Sequence, residues 1–219
     1  MRFLSDVKDL FTDFLFPKNQ KVLRLEALSV EVLLETLPKA GHLKDKYTLA
    51  LFDYSHPLVK EMVWALKYGG NARIADKLGG ILYDVIAHEL RDFATFEKWE
   101  RPILMPIPIS DKRRFERGWN QSELLAEEVL AHDMEKSFRY LPRQLIKLRH
   151  TESQTKTASR SERLENLTNS MKILNASAVT GECVVVLDDV TTTGATFAEA
   201  RRALSAAGAR KILCVAVAH

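Results

Sequence analysis

The chain has 219 residues, of which 46% are hydrophobic and 28% charged, and its net charge is +3. This is the balance of a soluble globular protein with one sizeable core, and the charge permits an acidic partner without demanding one. Only two cysteines occur, Cys183 and Cys214, each inside an apolar run, which excludes a disulfide scaffold and a thiolate zinc site. No apolar run approaches the roughly 20 residues that a membrane span needs. Residues 1–14 are interrupted by Asp6, Lys8, Asp9 and Asp13, so they do not read as a signal peptide, and the expected location is cytoplasmic.

In chain order, Phe3, Val7, Leu10 and Phe14 predict a first amphipathic helix, with Pro17 interrupting it. A second apolar set runs from Leu23 to Leu37 and ends at Pro38 and Gly41. Residues 1–44 are therefore expected to form a small helical N-terminal appendage, and residues 45–219 an α/β domain. Residues 47–54 suit a strand. His56 and Pro57 suit a helix start, with Leu58, Met62, Val63 and Leu66 on the apolar face and Lys67-Tyr-Gly-Gly70 at the end. Ile74 to Ile86 mark a long amphipathic helix reaching about Arg91. A strand follows over residues 101–106, a turn after Pro108, a helix over residues 121–132 and a short strand over residues 143–148. Residues 151–160 are polar and lack core-forming side chains, so they read as a loop. Strands separated by helices around one core predict an α/β fold with a mainly parallel sheet flanked by helices.

The most informative stretch is CVVVLDDVTTTGAT, residues 183–196. Its first five residues are apolar and largely β-branched, as in a strand buried on both faces. Asp188 and Asp189 then stand where that strand is expected to leave the sheet. Thr191, Thr192, Thr193, Gly194, Ala195 and Thr196 follow, leading into an Ala-rich helix that Gly208 can close, before a last buried strand over residues 211–217. Amides at a helix start lack intrahelical partners and carry the positive end of the dipole, so they receive a phosphate. Gly194 allows close approach, and the Thr hydroxyls add donors. Two carboxylates beside such a loop suit sugar hydroxyls, and phosphate plus vicinal diol describes a ribose 5-phosphate.

Residues 185–196 resemble the phosphoribosyl pyrophosphate (PRPP) loop of type I phosphoribosyltransferases. Residues 105–110 (MPIPIS) and 114–121 (RFERGWNQ), together with Tyr54, residues 66–68, Arg149, Gln154, Arg160, Arg163 and Asn166, resemble the ComF family, the competence-associated branch of that group. The likeness runs from about Tyr47 to Val217. Members of the family commonly open with a four-cysteine zinc module. Residues 16–22 here contain no cysteine, so no zinc is expected.

The resemblance implies a type I phosphoribosyltransferase fold and a PRPP ligand carried with magnesium. Residues 191–196 would then hold the 5-phosphate, and Asp188 and Asp189 the ribose hydroxyls, orienting hydrated magnesium without ligating it directly. Catalysis at the anomeric carbon would rest on positioning and charge neutralisation by Asp188, Asp189 and Arg117. For the pyrophosphate the candidates are Ser110, Lys112, Arg113, Arg114, Arg117, Gly118, Asn120 and Gln121, with a solvated basic turn as the other reading. Lys67 is either a site residue or a partner of its helix dipole. Arg149, Gln154, Arg160 and Arg163 would form a lid, a patch for a nucleic-acid backbone, or a plain solvated loop. The functions that follow are phosphoribosyl transfer to an unknown acceptor, a non-catalytic adaptor in DNA uptake, and purine or pyrimidine salvage. DNA-uptake proteins and single-stranded DNA are the implied partners, and the oligomeric state is open.

Overall fold

A computed structural model describes residues 20–41, 43, 45–97, 99–148 and 169–219. The expected helix over residues 3–16 lies outside them. Five strands form an all-parallel sheet: β1 (Thr48–Phe52), β2 (Ile103–Pro106), β3 (Arg139–Tyr140), and two long central strands, β6 (Cys183–Val190) and β7 (Lys211–Ala218). Their spatial order is β1-β7-β6-β2-β3. A two-stranded antiparallel ribbon, β4 (Leu145–Lys147) and β5 (Met171–Ile173), stands apart from the sheet. The expected α/β architecture is the one observed.

Period-two burial divides the central strands between two cores. Val185, Leu187, Val215 and Val217 face one side, where they meet α3 (Pro57–Gly69), α4 (Ala72–Glu97) and α6 (Gln121–His132). Val184, Val186, Cys214 and Ala216 face the other, against Phe197, Ala200 and Leu204 of α7 (Ala195–Ala206). With both faces covered, an unbroken apolar run was the right signature for these strands. Cys183 and Cys214 are free and buried, and burial pushes the Cys214 thiol up to about 12.

Several boundaries differ from the sequence expectation. The apolar set of residues 23–37 is two helices, α1 (Gln20–Ala27) and α2 (Val30–Thr36), because Ser29 breaks in to cap the second through Val32 N–H at 3.3 Å. Leu25, Leu33 and Leu37 are buried in the same core as the sheet. The Lys77 ammonium ties α1 down by donating to the carbonyls of Glu26, at 2.8 Å, and Leu28. The long helix α4 runs on to Glu97. It crosses α6 at Gly79, where an added Cβ would fall 2.4 Å from the Cβ of Glu128, so only glycine permits this approach. The expected turn after Pro108 contains a helix, α5 (Asp111–Arg117). Among the described residues no helix is long and apolar enough to cross a membrane.

Candidate functional site

The carboxyl ends of β2 and β6 lie side by side, with Pro106 paired to Leu187. In open α/β sheets that end is where ligands are received. The strand β6 does not stop before its acids, as the sequence suggested. Pairing with β7 continues through Asp188, opposite Ala216, to Val190, opposite Ala218. Both carboxylates are therefore held by regular strand backbone and are buried, at 6% and 3% exposure.

Asp188 Oδ1 accepts from the Ser122 hydroxyl at 2.8 Å and from the Asp189 N–H at 2.9 Å. Burial, and then the charge of Asp189, push Asp188 up to about 7 against the pull of those donors and of Lys67. Asp189 Oδ1 accepts from Val190 N–H at 2.9 Å. Its Oδ2 is buried, and its one partner among the described residues is the Lys67 ammonium, an ion pair at 3.2 Å. Burial works against the Lys67 charge, but Asp189 and Asp188 outweigh it and raise its pKa. The end of α3 thus brings Lys67 to the acids, and the start of α6 brings Ser122.

Beyond the acids, Thr191 is fixed by its N–H to Ala218 O at 2.9 Å, while its own carbonyl lies 2.9 Å from His219 Nδ1. Gly194 sits at φ 76°, the left-handed region that favours glycine, and starts α7 without a side-chain cap. Ala195 N–H leans on Thr193 Oγ1 at 3.4 Å. The amides of Thr192, Thr193, Gly194, Thr196 and Phe197 meet no acceptor among the described residues. These donors at a helix start, next to two buried carboxylates of which Asp189 keeps one oxygen without a hydrogen bond, form a site with both polarities.

The basic segment is less uniform than its sequence. Ser110 caps α5 through Arg113 N–H at 3.4 Å, and Gly118 closes it in the left-handed region. Arg114 is paired with Glu123 at 2.5 Å. Arg117 lies over the Tyr68 ring, 5.0 Å from its centroid, and donates to Gln121 Oε1 at 3.1 Å. Asn120 is buried; its amide donates to Ile107 O at 2.9 Å and its oxygen caps α6 through Ser122 N–H. Asn120 and Arg114 therefore already have protein partners, whereas Arg113 shows no ion pair among the described residues. Trp119 donates its indole N–H to Leu66 O at 2.9 Å, docking this segment on the end of α3. Arg149, Gln154, Arg160 and Arg163 lie outside the described residues.

Two residues near the acids were missed in the sequence. Ser122 carried no motif of its own. Lys147, the last residue of β4, is half-buried and close enough to Asp188 and Arg113 to feel both charges. A separate cleft of about 310 Å³, lined by Lys77, Asp84 and His132, contains none of the expected site residues.

No family model matches the chain. It is 29% identical over 165 residues to the DNA utilization protein YhgH of Escherichia coli K12, covering 73% of this chain and 66% of that protein. It is 29% identical over 164 residues to YhgH of Salmonella typhimurium, covering 75% and 68%. It is also 30% identical over 147 residues to the competence protein ComFC of Bacillus subtilis, covering 67% and 53%. The chain is similar over most of its length to proteins named for DNA utilization and for competence. It spans about two thirds of YhgH and half of ComFC. A solved structure described as the allosteric regulatory enzyme of purine biosynthesis overlays 70% of this chain and 30% of its own, at 18% identity and a TM-score of 0.41.

Proposed function

We propose that this ComF-type chain binds PRPP with magnesium and transfers its phosphoribosyl group to an acceptor, in the service of DNA uptake. The observation that carries the reading is the junction of β6 and α7, where five amides without an acceptor among the described residues adjoin two buried acids, one of which, Asp189, keeps an oxygen without a hydrogen bond. The amides suit a 5-phosphate. The acids suit the ribose hydroxyls, which would supply the donors that Asp189 Oδ2 lacks. Among the described residues no group of three or more His, Cys, Asp or Glu side chains gathers as for a metal ion. Two adjacent carboxylates fit a hydrated magnesium that arrives on the ligand's own oxygens, beside Asp188 and Asp189. Bound in that way, magnesium would neutralise the pyrophosphate leaving group.

In the mechanism, the loop and the acids fix the ribose so that its anomeric carbon is held in one orientation. Lys67 keeps Asp189 in register, and Ser122 does the same for Asp188. Arg117 would be the cation that meets developing charge on the leaving group. A non-catalytic PRPP-binding adaptor is the second reading, favoured by relatives named for DNA utilization and competence rather than for a reaction.

Titrating the protein with PRPP and with ribose 5-phosphate, each with and without magnesium, tests the proposal. Magnesium-dependent binding of PRPP tighter than that of ribose 5-phosphate supports it; absence of binding by both ligands overturns it. Release of pyrophosphate on addition of acceptor candidates then separates the enzyme from the adaptor.

A further inference from the structure

Residues 191–196, read as the phosphate loop, are entered through Thr191, and the end of β7 holds that residue at both of its backbone polar groups. Thr191 N–H donates to Ala218 O at 2.9 Å, and Thr191 O lies 2.9 Å from Nδ1 of the next residue, His219. The backbone of His219 is held in turn by the chain at the end of β1. Its N–H donates to Phe52 O at 3.0 Å, and its carbonyl accepts from Tyr54 N–H at 2.8 Å. The ring of His219 therefore reaches the loop from a fixed platform. A carbonyl oxygen only accepts, so Nδ1 must carry the hydrogen.

This contact has a consequence one residue further on. No peptide bond of the described residues is cis, and in a planar trans peptide the C=O of one residue and the N–H of the next point in opposite directions. Fixing Thr191 C=O on the imidazole turns the Thr192 N–H to the opposite side of that peptide. The Thr192 amide is the first of the five that meet no acceptor among the described residues.

We propose that His219 is a positioning residue of this site: through Thr191 it sets the peptide plane that presents the Thr192 amide to the ligand's phosphate. The inference rests on the reading of residues 191–196 as a phosphate loop. Without the contact, the peptide has to be ordered when the ligand binds, and affinity falls by that cost. The role asks only for an N–H at the Nδ1 position. Asparagine offers an amide N–H from about that place, glutamine carries its amide one bond further out, and alanine offers none. Because His219 is exposed, these substitutions leave both cores untouched.

The test titrates wild type, His219→Ala, His219→Gln and His219→Asn with inorganic phosphate, ribose 5-phosphate and PRPP, and records each melting temperature. One net hydrogen bond predicts about three- to tenfold weaker binding of all three ligands in His219→Ala and His219→Gln. His219→Asn should restore most of the affinity, and all three variants should melt with wild type. NMR of the wild-type ring should show the hydrogen on Nδ1, and added phosphate should shift the Thr192 amide. Wild type that binds PRPP no more tightly than His219→Ala does overturns the positioning role and leaves the PRPP reading standing. Equal losses in His219→Ala and His219→Asn, with lower melting temperatures in both, also overturn it, because they describe a purely structural contact. Wild type that binds inorganic phosphate but neither ribose 5-phosphate nor PRPP sinks the PRPP reading and keeps His219 as the residue that shapes an anion loop. Wild type that binds none of the three sinks both.

Discussion

Two buried acidic centres flank the same helix and are built in opposite ways. Glu199, 5% exposed on α7, accepts from Met171 N–H at 2.9 Å and from two Arg202 nitrogens at 2.8 and 2.9 Å. Burial opposes its charge, but Arg202 and the backbone donors prevail and hold its pKa below the usual carboxylate range. Asp188 and Asp189 are as deeply buried, yet Asp188 is pushed upward and Asp189 Oδ2 lacks a hydrogen bond. A satisfied buried carboxylate stabilises the fold, whereas a buried pair with an unsatisfied oxygen costs stability that a bound ligand would offset. Glu199 staples the ribbon to α7; the acid pair waits at the sheet's end.

The largest expected effect sharpens this contrast. The double variant Asp188→Asn with Asp189→Asn should weaken PRPP binding about 100-fold or more, because charged partners contribute about 1.5–3 kcal/mol each. Calorimetric titration reads the loss directly, and circular dichroism should report an intact fold.

The next effect is on stability against pH. A carboxyl whose folded pKa is raised from 3.8 to about 7 binds its proton more tightly folded than unfolded. Its ionisation therefore costs the native state nothing below the unfolded value, progressively more between the two values, and a constant amount above the folded one. Asp188→Asn should accordingly gain on wild type as pH rises from 4 to 7, by on the order of 3 kcal/mol. Urea unfolding at several pH values measures the gain. A constant difference across that range would break the comparison.

Glu199→Ala should do the reverse, costing about 2 kcal/mol of stability by stranding the Met171 amide and the Arg202 guanidinium. The loss should appear in urea unfolding while affinity for ribose 5-phosphate holds. The smallest effect belongs to Ser122→Ala. Losing one hydrogen bond to Asp188 should change stability by about 1 kcal/mol or less and raise the Asp188 pKa further, which NMR titration of the carboxyl can follow.

How much of this was legible in the sequence follows from how local each signal is. The run of residues 183–206 announced strand, acids, loop and helix because each is encoded within a few residues of itself. Its one error, ending the strand before the acids, arose because the pairing of Asp188 with Ala216 is a property of β7 and not of the acids. Helix α5 was invisible because none of its residues is buried; its polar sequence DKRRFER forms a helix between the Ser110 cap and Gly118. Ser122 meets Asp188 across 66 residues and Glu199 meets Met171 across 28, so no periodicity could have paired them. Lys147 lay in an expected strand but gained meaning only from its neighbours in space. The likeness to the ComF family supplied the order of the segments, and the YhgH and ComFC relatives agree with it.

The most direct measurement sets the two acidic centres side by side. PRPP affinity in the presence of magnesium and melting temperature would be determined for wild type, for Asp188→Asn with Asp189→Asn, and for Glu199→Ala. The expected result is a crossed pattern: the aspartate variant loses PRPP and melts no lower than wild type, while the glutamate variant keeps PRPP and melts lower. An aspartate variant that binds PRPP as wild type does and melts lower would contradict the assignment of the acid pair to a ligand.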